Sequence, residues 1–120
     1  MTKVLVVEDN AMNMELELEI IESMGFSAHG AEDGKKAVEM VQKETYDLIV
    51  MDIELPDMDG IEAARMIRNR PEYKNTPMIA VTAFAMKGDR DRFLASGFND
   101  YVEKPIDINL FIKVLEKYKK

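Results

Sequence analysis

Leu48-Ile49-Val50-Met51-Asp52 is a four-residue apolar run closed by a carboxylate, and its reading decides the fold. The run has no polar alternation, so it suits a strand buried on both faces, as in a parallel sheet covered by helices. The pattern recurs on either side, as Val4-Leu5-Val6-Val7 before Glu8 and Asp9 and as Met78-Ile79-Ala80-Val81 before Thr82. Shorter, more polar candidates at 27–30 and 101–103 suit the edges of a sheet. Helix-like stretches at 10–24, 33–43, 60–69, 87–96 and 107–119 fall between and after these runs. Five strand–helix repeats imply right-handed crossovers with helices on both faces. The expectation is a doubly wound α/β sandwich of three layers, with a parallel sheet and one domain over residues 1–120.

Local signals mark the helix ends. Asp59 followed by Glu62 has capping-box spacing, with Asp as the N-cap. Gly25 and Gly97 stand where the first and fourth helices should stop. Lys113, Lys117, Lys119 and Lys120 suit the negative end of the last helix. Residues 12–20 give conflicting signals. Met12, Met14, Leu16, Leu18 and Ile20 alternate with polar residues as a strand would. Met, Leu and Glu favour helix, however, and the position between two apolar runs needs a crossover. The segment reads as helix.

The composition narrows the function. With 16 Lys and Arg against 23 Asp and Glu, the chain carries a net charge of −7, which argues against a nucleic-acid partner. No cysteine is present among the 120 residues, so disulfides, thiolate metal sites and cysteine nucleophiles are excluded. The four apolar residues at 4–7 are too few for a signal peptide or membrane span, and a cytoplasmic, monomeric protein is expected.

In a doubly wound sheet, binding residues collect beyond the carboxyl ends of the strands. Those ends carry Glu8, Asp9, Asp52 and Thr82, with Lys104 after the last strand. Converging carboxylates repel by roughly 4 kcal/mol at 4 Å in a medium of effective dielectric 20, which a proton or a cation relieves. Oxygen ligands alone, and few of them, favour Mg²⁺. Such an ion would neutralise a phosphoryl group arriving at one carboxylate. Lys104 and the Thr82 hydroxyl would then hold its other oxygens.

Four motifs in this order and spacing resemble the receiver domain of two-component response regulators, the CheY-like superfamily. They are Val-Val-Glu8-Asp9-Asn10, Met51-Asp52-Ile-Glu-Leu-Pro56-Asp-Met-Asp-Gly60, Ala80-Val-Thr82-Ala83 and Tyr101-Val-Glu-Lys104-Pro105. The resemblance spans essentially the whole chain and is nearest to stand-alone and hybrid-kinase receivers. It implies sheet order 2-1-3-4-5. It makes Asp52 the phosphoacceptor, taking its phosphoryl group from a sensor histidine kinase or a histidine phosphotransfer protein. It assigns Mg²⁺ to Glu8, Asp9, Asp52 and the backbone carbonyl of Glu54. Lys104 would pair with the phosphoryl group, and Thr82 with Tyr101 would form the switch that a downstream protein partner reads. It further implies a cis bond before Pro105 and places Glu54 and Phe84 beside the phosphoryl group. Glu8 stands where many receivers have Asp, which keeps the charge.

Similar receivers meet their phosphodonor through the first helix. At 100° per residue, Met12, Leu16, Ile20 and Met24 share one face, while Met14 and Leu18 lie round from it. Met14 and Leu18 are therefore the candidate docking residues, with burial under a neighbouring helix as the alternative. A haloacid-dehalogenase-like phosphohydrolase is the rival function, since Asp52-Ile53-Glu54 approximates its nucleophile motif. That reading lacks room for a cap domain. Flavin binding fails because Glu8 and Asp9 would repel a phosphate at the first turn. Asp57 and Asp59 lack the spacing of a calcium loop and read as turn and cap residues. His29, the only histidine, falls on an expected edge strand away from the site. The expected protein is a phosphorylation-controlled switch rather than an enzyme acting on external substrates.

Overall fold

The computed structural model describes residues 2–83 and 88–119, together with the backbone but not the side chain of residue 90. Strands β1 (Lys3–Val7), β2 (Ser27–Ala31), β3 (Leu48–Asp52), β4 (Met78–Thr82) and β5 (Asp100–Glu103) form one sheet in the order β2-β1-β3-β4-β5. Every neighbouring pair is parallel. The three uniformly apolar runs are the central strands, and the two polar ones are the edges, as burial on both faces against burial on one requires.

Alternate residues of the central strands feed two separate cores. Val4, Val6, Leu48, Val50, Ile79 and Val81 pack with Ile20 and Ile21 of α1 (Ala11–Ser23) and with Phe111, Val114 and Leu115 of α5 (Ile108–Glu116). Leu5, Val7, Ile49, Met51, Met78 and Ala80 face the other way. They meet Ala37 and Val41 of α2 (Gly34–Lys43), Ala63, Ala64 and Ile67 of α3 (Gly60–Arg68), and Phe93 of α4 (Asp89–Ala95). A period of two in the strands thus sorts one apolar run onto both faces.

Side chains cap four of these helices. Asn10 accepts from the Asn13 amide at 3.0 Å, Asp33 from Lys36 at 2.7 Å, Asp59 from Ile61 at 2.7 Å and Asp107 from Leu110 at 3.1 Å. Asp59 is the expected N-cap, although its carboxylate reaches the second helical amide rather than the third. Gly25 and Gly97 follow α1 and α4 at φ 94° and 100°, the left-handed conformation that a residue with a Cβ avoids. Asp57 accepts from the Gly34 and Lys35 amides and so ties the loop after β3 to the start of α2.

The largest departure from the expected boundaries is at the end of the last helix. α5 ends at Glu116, so of its expected basic residues Lys113 lies in the last turn and Lys117 is the C-cap. Lys117 instead reaches Asp100 on β5, at 3.3 Å. The start expected for α4 at residue 87, and Lys120, lie outside the described residues.

The first helix forms, and Leu16, Ile20 and Met24 of its expected inward face pack in the core while Met12 does not. Met12 is 81% exposed, because α1 begins beyond the end of β1 and its first turn overhangs the sheet. Met14 and Leu18, expected to lie round from the buried face, are half-buried. A Cβ on Gly30 would stand 2.8 Å from Met14 Sδ and 3.6 Å from Leu18 Cδ1. The Met14 side chain occupies the space that a side chain at Gly30 would need, so the partial cover of Met14 comes from β2 rather than from a neighbouring helix.

Candidate functional site

The strand ends converge because backbone hydrogen bonds continue one residue past the ladder. The Glu8 amide donates to Ala31 at 3.0 Å, Ile53 to Val81 at 2.9 Å and Lys104 to Thr82 at 2.8 Å. Glu8, Asp52, Thr82 and Lys104 are therefore fixed by the sheet itself. Gly60 closes the loop after β3. Its amide donates to Ile53 at 2.8 Å, and a Cβ there would run into the Asp52 carbonyl oxygen and lie 2.7 Å from Ile53 Cα. Only glycine allows α3 to start that close to the strand.

One carboxylate oxygen from each of Glu8, Asp9 and Asp52 lies within 4.8 Å of the others. Glu8 and Asp52 are buried and Asp9 is exposed. Lys104 Nζ donates to Asp52 Oδ2 at 2.9 Å and stands 3.3 Å from Glu8 Oε1, close enough for an ion pair but without a hydrogen bond. The other Asp52 oxygen accepts from the Glu54 amide at 3.0 Å. Burial, helped by the Glu8 charge, raises the Asp52 carboxyl to about 7 against the pull of Lys104. Burial works against the Lys104 ammonium, but the hydrogen bond and charge of Asp52 outweigh it and hold its pKa above the ordinary value.

One ammonium faces three carboxylates, and Glu8 Oε1 is a buried oxygen without a hydrogen bond. An all-oxygen donor set with excess negative charge and an unsatisfied buried oxygen fits a hard divalent cation such as Mg²⁺.

Thr82 is fully buried and donates its hydroxyl to Glu54 Oε2 at 2.7 Å, while the Ala83 amide donates to Glu54 Oε1 at 2.9 Å. Tyr101 is half-buried on β5 opposite Ala80, with its ring 6.0 Å from that of Phe93 on α4. The Lys104–Pro105 bond is cis, as expected. Met14 and Leu18 line an open groove that also borders Glu8 and Asp9, so they adjoin the acidic cluster despite their partial burial. Phe84 lies outside the described residues. His29 lies away from the cluster, where its Nδ1 is 2.9 Å from the Tyr46 hydroxyl and 3.1 Å from Glu44 Oε2.

The sequence reading missed Glu17. It belongs to α1 yet is 1% exposed, and its Oε2 has no hydrogen-bond partner. Its carboxyl lies within reach of Glu8, and burial, followed by the Glu8 charge, raises its pKa to about 9. Both causes favour its protonated form. The missed signal was positional, since Glu17 stands three and four residues before the buried Ile20 and Ile21, on their face of the helix.

A parallel five-stranded sheet with acidic, hydroxyl and lysine side chains at its carboxyl edge defines a doubly wound α/β protein whose site lies beyond the strand ends. The sequence matches the response regulator receiver domain family over residues 4–116, and the chain belongs to that family. It is a receiver domain of two-component response regulators and serves phosphorelay signalling. It is 40% identical over 119 residues to the polar-differentiation response regulator DivK of Brucella ovis, covering 98% of this chain and 97% of that protein. Among solved structures, chemotaxis response regulator CheY4 of Vibrio cholerae superposes with a TM-score of 0.93 at 27% identity, over 99% of each chain. The receiver domain of a Pseudomonas aeruginosa sensor histidine kinase, with a magnesium ion in its active-site cleft, superposes at 0.87 with 36% identity. That match covers 98% of this chain and 96% of the other. Receiver domains act as switches that interact with histidine kinases and downstream partners, and the family binds Mg²⁺ at its acidic site. The haloacid-dehalogenase reading finds no support. Among the described residues no helix is long and apolar enough to cross a membrane.

Proposed function

We propose that Asp52 is the phosphoacceptor of this chain, and that residues 1–120 act as one receiver domain. A carboxylate oxygen of Asp52 attacks the phosphorus of a phosphohistidine on a histidine kinase or phosphotransfer protein. The P–N bond breaks, and the imidazole nitrogen keeps the electron pair and takes up a proton. The observation that carries this reading is the Glu8, Asp9 and Asp52 cluster with Lys104 Nζ 2.9 Å from Asp52. Glu8, Asp9, Asp52 and the Glu54 carbonyl would hold Mg²⁺, which supplies positive charge to the transferring phosphoryl oxygens.

Lys104 holds Asp52 in place beforehand and then neutralises a further phosphoryl oxygen. Thr82 turns its hydroxyl to the phosphoryl group, and Tyr101 follows by repacking against Phe93. The surface around α4 and β5 then presents a second arrangement to a downstream protein partner. Met14 and Leu18 meet the phosphodonor beside the site. The test is incubation with a small phosphodonor and Mg²⁺, followed by intact-mass measurement. Wild type gains one base-labile phosphoryl group and Asp52→Asn gains none. Equal labelling of both proteins would remove Asp52 from the role.

A further inference from the structure

Glu54 closes a circuit that the phosphoryl group itself needs. Its amide donates to Asp52 Oδ1 at 3.0 Å, which fixes the residue against the acceptor. Its two carboxylate oxygens take the Thr82 hydroxyl at 2.7 Å and the Ala83 amide at 2.9 Å, one donor to each oxygen. Both donors sit at the carboxyl end of β4, the strand that pairs with β3 at Asp52. Lys104 approaches Asp52 from β5, so Thr82 and Ala83 are the donors on the β4 side. A carboxylate thus already occupies two donors beside Asp52 in the unphosphorylated protein.

We propose that the Glu54 carboxylate is a built-in competitor of the phosphoryl group. It caps Thr82 and Ala83 in the unphosphorylated state and must leave when Asp52 is phosphorylated. This rests on Asp52 being the acceptor. Two anions cannot share the same two donors, because each needs both hydrogen bonds and they repel at contact distance. Phosphorylation therefore exchanges one anion for another at the start of the segment after β4. Glu54 sets how readily the site accepts a phosphoryl group, and its release marks the phosphorylated state. The resemblance placed Glu54 beside the phosphoryl group and its carbonyl on the metal, and the contact of its carboxylate with Thr82 and Ala83 goes beyond both expectations.

The test uses beryllofluoride with saturating Mg²⁺ as a non-covalent phosphoryl stand-in, titrated into wild type, Glu54→Gln, Glu54→Ala and Asp52→Asn. Mg²⁺ affinity is measured separately for each, so that any change at the metal is accounted for. Removing the cap should tighten beryllofluoride binding about tenfold in Glu54→Ala, which is 1.4 kcal/mol, with Glu54→Gln between it and wild type. The Ala83 amide resonance should move in free Glu54→Ala and coincide with wild type once beryllofluoride is bound. Unchanged or weaker binding in Glu54→Ala, with Asp52→Asn still blocking it, overturns the cap and leaves the acceptor standing. Binding that ignores Asp52→Asn overturns the acceptor instead.

Discussion

Asp52 and Glu17 are carboxyls that are each 1% exposed, and both act on the buried Glu8, yet the protein handles them by different physics. Asp52 stands at a strand end with an ammonium 2.9 Å away, and its pKa is held to about 7. Glu17 stands on the inner face of α1 with one oxygen unpartnered and rises to about 9. Burial disfavours the charge on both, but only Asp52 has an ammonium beside it to offset that cost. In this protein the cation separates the candidate acceptor from a carboxyl that burial chiefly governs. Where no cation stands beside the carboxyl, a proton relieves the same electrostatic cost.

The sharpest way to break this contrast is to remove the cation. Lys104→Ala should make Asp52 resemble Glu17, protonated at neutral pH in the absence of Mg²⁺. Phosphoryl uptake should fall on the order of 100-fold, the usual effect of losing one transition-state donor. Mg²⁺ binding should persist, because the acidic ligands remain. Rate measurement with a small phosphodonor, beside a Mg²⁺ titration, checks both halves. Uptake at the wild-type rate would remove Lys104 from the chemistry.

The converse change relieves Glu17. Glu17→Leu replaces an acid held neutral at a cost with a side chain suited to the core, and should stabilise the fold by on the order of 2 kcal/mol at pH 7. The pH dependence carries the sign. Because its pKa is higher folded than unfolded, Glu17 binds more protons in the native state, so stability falls as pH rises from about 4.5 towards about 9. Urea unfolding across that range, with a chelator present, should show a steeper decline for wild type than for Glu17→Gln. Parallel curves would mean that Glu17 is ionised in the fold.

Asp9 offers a smaller effect. It is the exposed member of the cluster, so losing it should leave stability near wild type while weakening Mg²⁺ binding at least about tenfold. Calorimetric titration of Asp9→Ala would show this, and unchanged affinity would assign the ion to other groups. The smallest change expected is at Met14. Its half-buried side chain lies over Gly30 and borders the acidic groove. Met14→Ala should slow transfer from the phosphodonor by a few-fold at most while lowering stability slightly. A stability loss with no change in transfer would make Met14 purely a packing residue.

The fold was legible because its signals are local and repeated. Leu48 to Met51 and its two counterparts had to be central strands, since only burial on both faces tolerates four apolar residues in a row. Asn10, Asp33, Asp59 and Asp107 had to stand near helix starts, because their side chains satisfy amides two or three residues on. The site was legible for a similar reason. Glu8, Asp9, Asp52, Thr82 and Lys104 all lie at strand ends, and the strand ends of such a sheet share one edge.

The tertiary structure decided what depends on neighbours distant in sequence. Glu17 looked like one more polar residue in an alternating run, and only the placement of α1 against the sheet buried it beside Glu8. Met12 belonged to the apolar stripe but is exposed, while Met14 is half-buried with its side chain over Gly30 of β2. Glu54 was expected beside the phosphoryl group, but which donors its carboxylate meets, 28 and 29 residues away, was not legible. Sequence alone determined the layers, the strand ends and the residues gathered there, because periodicity and capping act within a few residues. Which carboxyl carries charge and which oxygen meets which donor was decided in three dimensions, because burial and electrostatics depend on everything packed within a few ångströms.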